Sequence, residues 1–148
     1  MVDVDNTELD KLAVDLGRAG PAAGPFLAQA IEVTAHNVRD TARENATGMA
    51  HAAAFPSSIT FDVGAGYDIS SAAAVVTGGF SGATSTTFRA EIGPDKGRAQ
   101  GALGNLIEFG SVNNPPQGIM HGALKENEAD FAKGVDRAID DALKTVGL

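Results

Sequence analysis

The chain has no cysteine and no tryptophan, a single tyrosine and only three histidines. Without cysteine there is no disulfide framework and no thiolate metal site, which fits a cytosolic product. His36, His51 and His121 lie far apart and form neither an H-x-x-x-H nor an H-E-x-x-H pattern. Spacing therefore supports no metal centre. Apolar runs extend only a few residues, so no membrane-spanning helix is expected. Basic charge is also short: 11 Lys and Arg face 19 Asp and Glu, a formal net charge of -8. That balance argues against a large nucleic-acid footprint, though not against a protein past which DNA slides without being gripped. Met1–Asp5 is acidic, so no secretory signal is expected, and Asn45-Ala46-Thr47 is then a chance glycosylation sequon.

What is present fits one ordinary domain. The 148 residues are enough for a single core. Alanine and glycine are abundant, which predicts a core of small aliphatics anchored by a few phenylalanines: Phe26, Phe61, Phe88, Phe109 and Phe131. Asn6 or Thr7 is a good helix cap, with Glu8 and Asp10 suited to the first turn. Leu9, Leu12, Ala13 and Leu16 follow at helical spacing, and Gly17–Pro21 is predicted to end this first helix. A second helix is predicted from Pro21 or Pro25 to about Met49, along Leu27, Ile31, Ala35, Val38 and Ala42. The Ala52–Ala54 run could add a helical turn before Pro56.

Ile59, Phe61 and Val63 alternate with Thr60 and Asp62, which predicts a strand with one buried face, broken by Gly64-Ala65-Gly66. Ala72–Thr77 is a second candidate strand and Gly78–Gly82 a hairpin tip. Thr86–Ile92 is the third, with Phe88, Ala90 and Ile92 on one face. Leu106–Phe109 is too short to assign to strand or helix. A last helix is predicted over about His121–Thr145, its polar face laced by Asp130–Lys133 and Asp140–Lys144 pairs. Phe109 and Phe131 are expected in the core, each costing ~3–5 kcal/mol on truncation to Ala. The expected fold is α+β, with an antiparallel sheet of three to four strands packed against a long N-terminal helix and a C-terminal helix. Its divisions are helical 1–50, sheet 58–92, glycine loop and turn 93–118, and C-terminal helix 121–146.

The motifs that would carry chemistry fail one by one. Gly79-Phe80-Ser81-Gly82 places its second glycine one position early for a nucleophile elbow. Gly64-Ala65-Gly66 lacks the third glycine of a dinucleotide fingerprint. Gly93-Pro94-Asp95-Lys96-Gly97-Arg98 lacks the Gly-Lys-Ser/Thr ending of a phosphate loop, so Lys96 and Arg98 read equally as contacts for phosphate or an acidic partner and as a solvated basic turn. No acid–base carboxylate pair stands out among the acidic residues of the helix faces. No enzyme is expected, and no cofactor.

Gly93–Pro116 nevertheless has residue types too particular for packing alone. Ile-Gly-Pro-Asp-Lys-Gly-Arg (92–98) precedes Gly-Ala-Leu-Gly-Asn-Leu-Ile-Glu-Phe-Gly-Ser (101–111). This run resembles the signature of tail-completion proteins of long-tailed phages, the minor tail or head–tail connector components, of the actinobacterial phage type. The matching positions are Glu108-Phe109-Gly110-Ser111, then Asn113–Pro116, then Gly122-Ala123-Leu124 opening the last helix. In place of the family's Pro-Val-Asp-Thr-Gly-like turn the chain has Thr47–His51 and an alanine-rich extension.

The resemblance implies a virion protein assembled in the host cytoplasm. It would form a ring, commonly a hexamer, in the neck between a head-closure (stopper) protein and the tail terminator or tail tube. DNA would pass through its channel without sequence-specific binding, and an acidic lumen would let it slide. The expected inter-subunit or inter-ring contacts are Asp95, Lys96, Arg98, Asn105, Asn113, Asn114, Pro115 and Pro116, on adaptable glycine and proline loops. A tail terminator ring is the neighbouring alternative. A small ligand-binding module or enzyme using the Gly93–Arg98 loop and His51 is the alternative of a different class.

Overall fold

The computed structural model describes residues 7–68 and 85–148. Helix α1 spans Thr7–Asn45, a short helix α2 spans Phe55–Ser58, and strands β1 (Ile59–Asp68) and β2 (Ser85–Pro94) pair antiparallel. A 3-10 turn at Gly101–Leu103 runs into helix α3 (Gly104–Phe109), and helix α4 spans Ile119–Val146. The fold is α+β, as expected, but the sheet among the described residues has two strands rather than three to four. The Ala72–Thr77 strand and the Gly78–Gly82 tip lie outside the described residues.

α1 overturns the expected helix break. Its 39 residues run on through Gly17, Gly20, Pro21, Gly24 and Pro25, a length of ~58 Å at 1.5 Å per residue. Each proline removes one backbone donor and crowds the preceding turn. Both prolines are exposed, however, whereas Ala22, Ala23, Phe26, Leu27 and Ala30 are half-buried. Packing on that opposite face carries the helix past its own breakers. The helix ends at Asn45 rather than Met49, and the helical turn foreseen at Ala52–Ala54 sits one step later, over Phe55–Ser58 with its proline in the first turn.

The β alternation reads as the sequence indicates. The register places Phe61 opposite Ile92, Val63 opposite Ala90 and Ile59 opposite Pro94, so one face is apolar and Thr60, Asp62, Arg89 and Glu91 share the other. The apolar face lies on α1. The His36 ring meets Phe61 edge-on at 4.5 Å, the Arg39 guanidinium lies 5.2 Å from the same ring, and Arg43 donates twice to the Ile59 carbonyl at 3.0 and 2.7 Å. Gly64–Gly66 does not break β1, which continues to Asp68 against Thr87, Thr86 and Ser85. The cross-strand ladder outweighs the local preference of glycine for turns.

The core gathers at the C-terminal end of α1. Val38, Ala42, Ala46, Ala52, Phe55, Ile59, Ile107, Ile119 and Ala123 form one buried cluster, with Phe55 its largest fully buried side chain. Small aliphatics dominate, as anticipated, but the expected aromatic anchors are misplaced. Phe109 is 75% exposed and Phe131 38% exposed. Phe109 is the last residue of a one-and-a-half-turn helix whose inward face is already taken by Ile107, and Phe131 stands at the mouth of a groove described below. α4 starts at Ile119, two residues before the predicted start. It crosses α1 antiparallel, with Asn127 donating to Thr41 at 3.0 Å and Gly134 lying against Ala30. On its outer face Asp130 pairs with Lys133 at 3.7 Å as expected, but Lys144 pairs with Asp141, not Asp140, at 3.3 Å. No helix among the described residues is long and apolar enough to cross a membrane.

Candidate functional site

Most of Gly93–Pro116 is tied down from within. The Asp95 amide donates to the Ser58 carbonyl at 2.8 Å, and the Asp95 carboxylate accepts the Gly97 amide at 2.8 Å. Gln100 adopts a left-handed backbone, φ 59°. From there its side chain donates to the His51 carbonyl at 3.2 Å and accepts the Ala54 amide at 2.8 Å. It thus pins the loop to the segment leading into α2. Gly101 is buried directly against the Asp95 carbonyl and Ser58, where a Cβ would overlap the backbone. The glycine there serves close approach of two chain segments of one molecule, a role spacing alone does not disclose.

The Glu-Phe-Gly-Ser turn is a splice between two helices. α4 begins after Gly118, which offers no side-chain acceptor for the first amides of the helix. Glu108 supplies one from α3: its two carboxylate oxygens accept the amides of Met120 at 2.8 Å and His121 at 3.0 Å. A carboxylate there satisfies two orphan donors and faces the positive end of the helix dipole. The Ile107 and Glu108 carbonyls accept the amides of Gln117 and Gly118, closing the loop. Gly110, at φ 76° and ψ -175°, turns the chain under it. An ideal Cβ there would stand 2.7 Å from the Asn114 carbonyl oxygen and from the Pro116 nitrogen, so only glycine fits. Sequence reading misses Gln100, and it singles out Glu108 only as part of the turn, not as a helix cap. The signal of Glu108, a Glu four residues after the start of one helix and eleven before the next, has no fixed spacing to recognise.

The eight expected contact residues divide around α3. Asp95, Lys96 and Arg98 lie on the loop before it, and all three are exposed. Arg98 leans back on Asp95 at 3.5 Å and towards the Ser57 carbonyl at 3.5 Å, contacts too exposed to hold it firmly. Lys96 makes no ion pair among the described residues. Asn105 is exposed on the first turn of α3, and Asn113, Asn114, Pro115 and Pro116 are exposed on the turn after it. There Ser111 and Asn114 exchange backbone bonds at 2.8 and 3.2 Å. Between the two groups stands an apolar ridge: Leu106 at 40%, Phe109 at 75% and Val112 fully exposed.

Two concavities lie elsewhere. One, of about 400 Å³, is a cleft of mixed character between α1 and α4, lined by Phe26, Val33 and Phe131 as well as Asn37, Asp130 and Arg137. The second, of about 700 Å³, is an apolar groove floored by Ile31, Ala35 and Val38 of α1 and walled by Phe88 and Ile92 of β2 and Leu124 and Phe131 of α4. Neither is lined by His51 or by any residue of the Gly93–Arg98 loop. Among the described residues no three His, Asp or Glu side chains converge as a metal ligand set.

Compared with protein-family models, curated proteins and solved structures, the chain gives no match. The functional reading rests on the residues and their geometry.

Proposed function

We propose that this chain is a structural protein of a phage neck, forming a ring, with six copies the expected number, that completes the tail and joins it to the head. The observation that carries the reading is that the described residues expose unlike apolar surfaces. The Leu106–Phe109–Val112 ridge flanked by Asn105 and Asn113–Pro116 is one, the leucine-bearing start of α1 another, and the apolar groove a third. Large exposed apolar groups rimmed by polar ones mark interaction sites. Closed rings need two different patches per subunit, and stacked rings need a further one.

The resemblance of the 92–124 segment to tail-completion proteins supplies the assembly, with a stopper protein on one side and the tail terminator or tube on the other. A net charge of -8 suits a channel that DNA crosses without adhering. In this reading Asp95, Lys96, Arg98, Asn105 and Asn113–Pro116 are contacts between subunits or between rings. The terminator ring remains the neighbouring reading. The ligand-binding reading on the Gly93–Arg98 loop stands as the alternative of a different class, although neither concavity described above is lined by that loop.

The test is gold-labelled antibody against this chain, applied to virions produced from the genome that encodes it. Label at the head–tail junction is the expected result. Label at the tail tip or capsid, or on no virion at all, would reject the neck assignment.

A further inference from the structure

α1 carries its helix breakers in one stretch and its prolines on one side. Gly17, Gly20, Pro21, Gly24 and Pro25 crowd into a short part of a helix of 39 residues. Pro21 cannot donate to the Gly17 carbonyl, nor Pro25 to the Pro21 carbonyl, so two successive rungs of the helix ladder are missing. At about 100° per residue Gly17, Pro21 and Pro25 share one arc of the helix, and all three are exposed. The opposite arc holds Ala19, Ala23, Phe26 and Ala30, all half-buried, with Ala30 against Gly134 of α4. Asp15 starts this inner stripe, its side chain 13% exposed and paired with Arg18 at 3.7 Å. That pair lies within a single turn, ahead of the prolines. α4 runs antiparallel to α1, and its end at Val146, closed by Gly147 at φ 87°, reaches the level of these breakers.

We infer that Gly17–Pro25 is a built-in joint, on which the N-terminal turns of α1 swing as a helical unit relative to the domain. Both missing rungs lie on the solvent side, so the helix opens there without breaking a further bond, while the rungs of the inner face stay closed. The proline ring crowds the carbonyl one turn back, so a kink turns the helix away from the prolines. Here that direction is toward α4. Ala19, Ala22 and Ala23 on the inner side offer little bulk against it. Gly17 and Gly20 are exposed, so crowding does not call for glycine there, and what glycine adds is backbone freedom. A bend of about 30° at Gly20 would carry Glu8 ~9 Å sideways at 1.5 Å rise per residue. The Asp15–Arg18 pair travels with the swinging turns. The joint therefore re-aims the exposed Leu9, Leu12 and Leu16 while the core at the other end of α1 stays as it is. In a ring, subunits would use it to meet neighbours at more than one angle. Only that use rests on the neck reading; the joint itself does not.

The absence of cysteine allows clean spin labelling. Glu8→Cys with Lys144→Cys, both at exposed positions, reports the distance across the joint by pulsed electron resonance. Gln29→Cys with Lys144→Cys is the control, with both labels on the domain side. A locked form replaces the exposed Gly17, Gly20, Pro21 and Pro25 by Ala, and raised helicity by circular dichroism shows that it folds. The locked form is expected to give one distance across the joint. The unaltered helix is expected to add a population shorter by ~5–10 Å, while the control pair gives one distance in both forms. The same single distance in both forms would overturn the joint, and so would a spread that survives the locking. An added population longer than the locked distance would also overturn it, because melted turns reach further than a helix whereas a swing toward α4 shortens the span. Antibody label at the virion neck with a rigid α1 would leave the neck reading standing without the joint, and a moving joint with label elsewhere would do the reverse.

Discussion

Glu108 belongs to the one turn whose composition most suggests function, yet its carboxylate is spent within the molecule. Both oxygens accept amides from the first turn of α4, and Gly118 before them provides no cap of its own. Removing a capping acceptor costs ~0.5–2 kcal/mol, and leaving half-buried amides without a partner adds to it. Glu108→Ala is therefore expected to lower stability by about 1–2 kcal/mol in urea unfolding. Glu108→Gln keeps one acceptor oxygen and should lose less. Equal losses for the two variants, or none for either, would show that the carboxylate does not hold the helix start. A residue can thus belong to a recognisable motif because the fold needs it there, while its neighbours Phe109 and Val112 are the ones left exposed.

At the scale of elements, α1 decides the shape, and it does so against its own sequence. A proline inside a helix costs ~3 kcal/mol and a glycine ~1 kcal/mol relative to alanine. Between Gly17 and Pro25 inward packing offsets this, whereas Leu9, Leu12 and Leu16 before it stay largely exposed. An isolated helix shorter than about 12–15 residues is marginal in water, so the first turns of α1, ahead of these breakers, should exchange their amides fast. Replacing Pro21 and Pro25 by Ala should slow exchange across residues 7–20 and raise helicity, measured by hydrogen exchange and circular dichroism, with little change in the core. Fast exchange throughout α1 in that variant would mean that the prolines are not the weak point. The same contest explains which elements were legible in the sequence. The strands showed because their alternation at Ile59–Val63 and Phe88–Ile92 agrees with the packing they meet, and the C-terminal stripe showed for the same reason. The joining of the two predicted helices did not, since the local signal at Gly17–Pro21 is a strong breaker and the force that overrides it is tertiary. Within the candidate site, the exposed character of Asp95, Lys96 and Asn113–Pro116 was legible from composition. Gln100 and Glu108 act on segments 46 and 12 residues away in sequence, and no spacing rule announces such partners.

For the molecule as a whole, burial separates what holds one copy together from what would join copies. Phe55 is 1% exposed at the centre of the core, whereas Phe109 is 75% exposed on the ridge after α3. The two phenylalanines should consequently fail in opposite assays. Phe55→Ala leaves a cavity among Val38, Ile59 and their neighbours and is expected to cost ~3–5 kcal/mol, a large share of the stability of a domain this size. Phe109→Ala removes a side chain that already faces water, so unfolding should change by less than about 0.5 kcal/mol. Under the neck reading Phe109 instead anchors a contact between subunits or rings, and exposed aromatics of this kind carry much of the energy of an interface. Phage complemented with Phe109→Ala should accumulate filled heads and free tails, while the purified variant melts like the unaltered protein. Lys96→Ala is expected to act in the same direction but more weakly, because a charge at an interface rim contributes mainly to encounter. If Phe109→Ala gives full yields of infectious particles, the ridge is not a joining surface. If it melts like Phe55→Ala, the ridge is structural after all, and the division between core and contact must be redrawn at α3.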